Sequence, residues 1–128
     1  MAVTLAPPGC TRHVEKPWGS ELIFTEPALP YTGKLIHVRA GRRLSLQVHD
    51  QKVETMIILS GAALLVLEDA TGVLVDIPMQ PGVGYTVPAG RRHRLCGITD
   101  TTVLEVSTPE TGVTLRLEDD YGRPDELR

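Results

Sequence analysis

Apolar and polar residues alternate along this chain in short bursts with a period of two, the pleat repeat of a strand, and no 3.6-residue periodicity interrupts them. Residues 34–40 (KLIHVRA) put Lys34, Ile36 and Val38 on one face and His37 and Arg39 on the other. The same reading predicts strands over 21–25, 44–49, 53–60, 62–68, 73–77, 85–88, the last continued by Leu95 and Cys96 after a tight turn, 101–107 and 113–117. Between them lie turn-forming clusters at 27–33 (PALPYTG), 69–72 (DATG), 79–82 (MQPG) and 108–112 (TPETG). Roughly ten short strands with turns between them suit an all-β jelly roll of two sheets. Residues 1–13, with Pro7-Pro8-Gly9, read as an irregular arm, and 14–128 as one domain.

Two stretches break the apolar pattern with residues that are costly to bury. In 41–61 (GRRLSLQVHDQKVETMIILSG), Gln47 and His49 are two apart and so project from the same face. A break at 50–52 lets the chain turn, and an antiparallel return brings Glu54 beside His49. In 82–97 (GVGYTVPAGRRHRLCG), the Pro88-Ala-Gly90 turn precedes His93. Each of these residues alone is ordinary, since a His at a strand end is more often a satisfied polar group than a ligand. Together an imidazole pair, a carboxylate and an amide oxygen form a donor set suited to one divalent metal, whether zinc, manganese, nickel, cobalt or iron. No thiolate is among them, so a closed structural zinc site of the cysteine type is not indicated.

Leu44, Leu46 and Val48 lie on the other face of the Gln47–His49 strand. A second sheet, the N-terminal arm or another subunit is expected to cover them, which leads to the expectation of a homodimer. Met56 and Ile58 alternate with Glu54, so an apolar cavity wall is expected beside the carboxylate. Cys96 reads as a small core residue and Trp18 as an anchor outside the barrel.

Composition narrows the classes. The 128 residues, 41% of them hydrophobic, can bury a core without staples. A formal net charge of −3 with no basic block argues against nucleic acid as a partner. No apolar run reaches the length of a membrane span, and the first ten residues lack the charged head and apolar core of a signal peptide. Two cysteines, Cys10 and Cys96, are too few for a disulfide framework and fit a reducing cytoplasm.

Gly41, Gln47, His49, Glu54 and Gly61 match the first cupin motif, and Gly82, Pro88, Gly90 and His93 the second, with Gly97 where Asn is usual. The chain therefore resembles the cupin family, whose double-stranded β-helix is a jelly-roll barrel. Gln47 in place of the commoner His is similar to the phosphomannose isomerase branch. Lys16-Pro-Trp-Gly-Ser-Glu21, Lys34, Leu44-Ser-Leu-Gln47, His93-Arg-Leu95 and 115–123 (LRLEDDYGR) look like the cupin domain of mannose-1-phosphate guanylyltransferases fused to phosphomannose isomerase. Thr55-Met56 stands where those relatives commonly carry His-Trp.

That resemblance implies a metal held by Gln47, His49, Glu54 and His93, and an isomerase acting on a sugar phosphate or related small molecule through an enediolate. Arg116 and Arg123 are then the candidates for phosphate or enediolate, with Lys34, Met56, Ile58 and Arg94 as substrate-binding residues and Lys52 as a further cation. No base is identifiable. Two other readings stay open: a metal-dependent dioxygenase or polyketide-cyclase-like cupin acting on a less polar metabolite, and a sugar- or metal-binding cupin without turnover.

Overall fold

The structure is a computed structural model, described here over residues 9–127. Twelve strands form two antiparallel sheets. They are β1 (Arg12–Lys16), β2 (Gly19–Ile23), β3 (Thr32–Val38), β4 (Leu46–His49), β5 (Glu54–Ser60), β6 (Ala63–Glu68), β7 (Leu74–Pro78), β8 (Tyr85–Val87), β9 (His93–Gly97), β10 (Thr101–Ser107), β11 (Val113–Glu118) and β12 (Glu126–Leu127). One sheet runs β1-β2-β3-β10-β5-β8 and the other β12-β11-β4-β9-β6-β7. Consecutive strands switch between sheets at β3–β4, β4–β5 and β5–β6, which is the jelly-roll path of a cupin barrel. Among the described residues no helix is long and apolar enough to cross a membrane.

The expected strands are present, with ends shifted by a residue or two, except that Leu95 and Cys96 do not continue the 85–88 strand: they belong to β9, in the other sheet from β8. β1 was not expected: pairing with β2 brings Arg12 and His13 into the sheet, inside the stretch read as an irregular arm. Residues 1–8 of that arm lie outside the described residues. β12 was also not expected, and it pairs only at Val113 and Thr114 of β11.

The interior has an apolar end and a charged end, and strand register produces both. On β10 the inward positions are Thr101, Val103, Glu105 and Ser107, all buried. Val103 lies opposite Ile36 of β3 and Ile58 of β5, while Glu105 lies opposite Lys34 and Met56. Thus Lys34–Ile36–Val38 and Glu54–Met56–Ile58 run from charge to hydrocarbon in the same direction. Ile36, Val38, Ile58 and Val103 pack with Leu65, Ala63 and Leu95 of the facing sheet into the core. Leu65 is wholly buried, and its truncation to alanine would cost about 2–5 kcal/mol. Trp18 belongs to this core and also borders the cavity, so it is not an outside anchor.

The β4 face expected to need a partner is largely covered within the chain. Leu44 lines the internal cavity, Leu46 is buried and Val48 is half-buried. Arg94 spans β4 on the outside, donating from Nε to the Leu44 carbonyl at 2.8 Å and from Nη2 to the Glu118 carbonyl at 3.1 Å; Glu118 is the register partner of Leu46.

Candidate metal centre

Four elements bring the polar residues together at the charged end of the barrel. The pleat of β4 aims Gln47 and His49 inward, with Ser45 beside them. Glu54 opens β5 in the opposite sheet, and His93 opens β9, where it is the register partner of Gln47. The Pro88-Ala-Gly90 turn is tied to the first stretch by a hydrogen bond from the Gly90 N–H to the His49 carbonyl at 2.8 Å. Gly90 has φ of +80°, the left-handed region that a side chain disfavours, which is why this tight turn uses glycine.

His49, Glu54 and His93 are each 3–4% exposed, and their ligand atoms all lie within 4.8 Å of one another. His93 Nε2 is 2.8 Å from Glu54 Oε1, and His49 Nε2 is 3.8 Å from the same oxygen. The other nitrogen of each ring is held from behind. His93 Nδ1 meets the Arg91 carbonyl at 3.0 Å, and a carbonyl only accepts, so the proton sits on Nδ1. His49 Nδ1 meets Thr114 Oγ1 at 2.8 Å. Both contacts suit rings whose Nε2 lone pairs face the Glu54 carboxylate, the arrangement that metal-ligating histidines adopt. Gln47 lines the same cavity, its Oε1 accepting from the Ser45 hydroxyl at 3.1 Å. Two neutral imidazoles, one carboxylate and an amide oxygen thus fit a divalent cation of the first transition row.

Beyond the triad runs an alternating series of buried charges that no single stretch of sequence reveals. Lys52 Nζ is 3.3 Å from Glu54 Oε2 and 3.1 Å from Glu105 Oε2. Lys34 Nζ is 3.7 Å from Glu105 Oε2 and 3.5 Å from Glu21 Oε1. Glu110 Oε1 contacts both ammonium groups, at 3.3 Å from Lys52. Burial alone would push the Glu54 carboxyl up, but the Lys52 ammonium, Glu105 and His93 hold it well below the usual carboxylate range. Burial and then the charge of Glu54 push Glu105 the other way, to about 8, despite Lys52 and Lys34. Burial presses both lysines down, and the surrounding carboxylates, Glu105 foremost, more than restore them.

The cavity holding these groups is about 110 Å³. Its wall is mostly polar, with five cationic side chains and five carboxylates among the described residues. This corrects the expected apolar wall. Met56 does line the cavity, but Ile58 lies one pleat further down the strand, in the core. Arg94 also does not reach the cavity: as the neighbour of His93 on a pleated strand it points outward. Lys34, Arg116 and Arg123 all border the cavity. Both arginines are already engaged. Arg116 Nη2 pairs with Glu126 and Nη1 donates to the Pro124 carbonyl, while Arg123 forms two hydrogen bonds to Asp119, at 3.0 and 2.9 Å.

Thr114, Glu21, Glu105, Glu110 and Glu126 were not singled out from the sequence. Glu105 shares a face with Thr101, Val103 and Ser107, and only the strand register shows that this face is the inner one.

Comparison with known proteins agrees with this geometry. The family model described as mannose-6-phosphate isomerase C-terminal matches residues 9–125. The alginate biosynthesis protein AlgA of Pseudomonas aeruginosa is 33% identical over 120 residues, covering 89% of this chain and 24% of that protein. The chain therefore spans about a quarter of the length of this curated relative. A variant of oxalate decarboxylase from Bacillus subtilis superposes with a TM-score of 0.74 at 17% identity, over 91% of this chain and 34% of that one. KdgF from Halomonas superposes with a TM-score of 0.62 at 17% identity, over 79% of this chain and 86% of that one. At such identities the two structures speak for the fold alone.

Proposed function

The chain belongs to the mannose-6-phosphate isomerase C-terminal family, and from that premise we propose that it is a metal-dependent isomerase acting on a phosphorylated sugar or a related hydroxy-carbonyl metabolite. The observation that carries this reading is the meeting of His49, Glu54, His93 and Gln47 at the head of a charge-lined cavity. These four residues would hold one divalent ion, of zinc, manganese, nickel, cobalt or iron type. Bound there, the ion supplies Lewis acidity to a substrate oxygen.

The chain's own residues do the rest. The Arg91 carbonyl fixes the tautomer of His93, and the Thr114 hydroxyl holds the His49 ring from behind, so both rings are oriented before binding. Five cationic side chains face five carboxyl groups around the cavity before any metal enters, and one of these, Glu105, is pushed up to about 8. A divalent ion therefore tips the site positive, in favour of an anionic ligand. The enclosed volume of about 110 Å³ is below the ~300 Å³ typical of whole-ligand pockets. The cavity thus takes the reacting end of a substrate, and the remainder lies across the mouth, where Arg116 and Arg123 stand. Lys52 and Glu105, beside the triad and outside the ligand set, are the groups able to carry a proton to or from a bound substrate. The polar wall favours this reading over oxidation or cyclisation of a less polar metabolite.

The two unpaired cysteines support placing the protein in the cytoplasm. The test is interconversion of mannose 6-phosphate and fructose 6-phosphate with exchange of a carbon-bound proton for solvent deuterium, abolished by chelation and restored by metal. Tight binding of either sugar phosphate without exchange would leave a binding module. Oxygen uptake on an aromatic substrate would replace the isomerase reading with an oxidative one.

A further inference from the structure

Glu110 joins two buried ammonium groups through one oxygen. Its Oε1 is 3.3 Å from Lys52 Nζ and contacts Lys34 Nζ. Lys34 and Lys52 are 3% and 4% exposed, whereas the Glu110 side chain is 24% exposed. Each lysine also has other carboxyl groups within reach. Lys34 keeps Glu21 and Glu105, and Lys52 keeps Glu54 and Glu105. Glu110 stands on the loop 108–112 and Lys52 on the loop between β4 and β5, whereas Glu21, Lys34, Glu54 and Glu105 are on strands. On its outer side lies a second cavity of about 290 Å³ that Glu110 shares with Arg12. One carboxylate therefore forms the wall between two cavities, with cations on both sides.

We propose that the paired ammonium groups of Lys34 and Lys52 are a binding site for one oxyanion group of a ligand, phosphate or carboxylate, and that Glu110 fills this site until the ligand's anion displaces it toward the outer cavity and Arg12. A side-chain carboxylate oxygen already accepts from both lysines, so an oxyanion of the same charge meets the same donors. The groups are buried, where a charge–charge contact is worth more than at the surface. The site adjoins the triad through the 3.3 Å contact of Lys52 with Glu54, so an anion held here fixes where the rest of the ligand lies relative to His49 and His93. As a tethered competitor Glu110 acts at an effective concentration on the millimolar scale, so it weakens every incoming anion and selects against feeble ones.

This goes beyond the isomerase reading, adding to the mouth arginines Arg116 and Arg123 a separate anion subsite beside the triad, and it stands without turnover. The test titrates inorganic phosphate, and separately acetate, into metal-stripped wild-type chain and Glu110→Ala by calorimetry. Removal of the tethered carboxylate should tighten at least one of the two by about tenfold or more. Whichever anion gains more identifies the group the site takes. Lys52→Met takes the nearest ammonium from Glu54 and Glu105 and can unfold the chain, so location is read on Glu110→Ala itself. Selenate soaked into its crystals should give anomalous density between Lys34 and Lys52. Unchanged affinity for both anions, or selenate found only at Arg116 and Arg123, would overturn the proposal. Tighter phosphate binding with no interconversion of sugar phosphates would keep the anion site and remove the isomerase reading.

Discussion

His93 of one sheet sets its Nε2 2.8 Å from Glu54 Oε1 of the other, so this pair closes the charged end of the barrel across the gap between the sheets. A lone pair and a carboxylate at that distance need a cation or a proton between them. His49→Ala and His93→Ala should each lose bound metal, and Glu54→Gln should weaken it, with the fold kept by a core that lies at the other end. Metal content by mass spectrometry checks this; stoichiometric metal in both histidine variants would remove them as ligands. In wild type, saturating metal should raise thermal stability, by about 2.7 kcal/mol at a hundredfold excess over Kd.

Thr114 is the residue behind His49. It is 1% exposed, and its hydroxyl is 2.8 Å from Nδ1. Thr114→Val keeps the shape and removes the hydrogen bond to Nδ1 that helps to orient the ring. Metal affinity should fall by about 10–100-fold, as for other partners of metal-bound histidines. Competition with a chromophoric chelator measures it, and a loss under twofold would mean that packing alone orients the ring.

Much of this site could be read from residue spacing because its key pairs are local. Gln47 and His49 share a face through the pleat, and Gly61 ends β5 at φ of +89°, where a side chain would collide with the Asp100 carbonyl. What could not be read depends on register between distant strands. Glu105 is flanked by Leu104 and Val106, which are partly exposed on the sheet's outer face, so alternation alone did not say which face was inside. Only its pairing with Lys34 and Met56 puts it beside Lys52. Thr114 reaches His49 through the β11–β4 register in the same way. The family resemblance names Arg94, but adjacent residues on a strand face opposite ways, so it does not share the cavity with His93. Ile58 shares the Glu54 face but sits past the point where the interior turns from polar to apolar.

The case for a dimer moves to the other sheet. With Leu46 covered from within the chain, β4 no longer asks for a partner. Leu22, Leu35, Leu104 and Ile57 form a row across β2, β3, β10 and β5 on the outer face, each only half-buried, with Val106 51% exposed beside it. A self-complementary row of this kind suits a twofold contact between copies. Light scattering should give twice the 14.0 kDa chain mass, and Leu104→Glu should return it to one chain. A wild-type mass of one chain at micromolar concentration would count against the dimer.

Asp119 anchors Arg123 at the cavity mouth. Its carboxylate accepts the Arg123 backbone N–H at 2.7 Å and two guanidinium N–H groups. The hydrogen bonds from the Arg123 side chain hold the Asp119 carboxyl below its ordinary value, against a smaller opposing effect of burial. The sign of the pH effect follows. Between the depressed folded value and the ordinary value of about 3.9, the unfolded segment binds more protons than the folded one. The anchoring is therefore complete above about 3.9 and lost as pH falls through the folded value. Asp119→Asn removes it at every pH, at a local cost of about 1–2 kcal/mol. Amide exchange over 119–126 should accelerate several-fold in this variant at pH 7, and the gap from wild type should close on acidification. Arg123 borders the cavity, so the same variant should bind phosphorylated ligands more weakly at pH 7 while keeping its metal. Wild-type exchange rates in Asp119→Asn at pH 7 would show that the pair does not fasten the mouth.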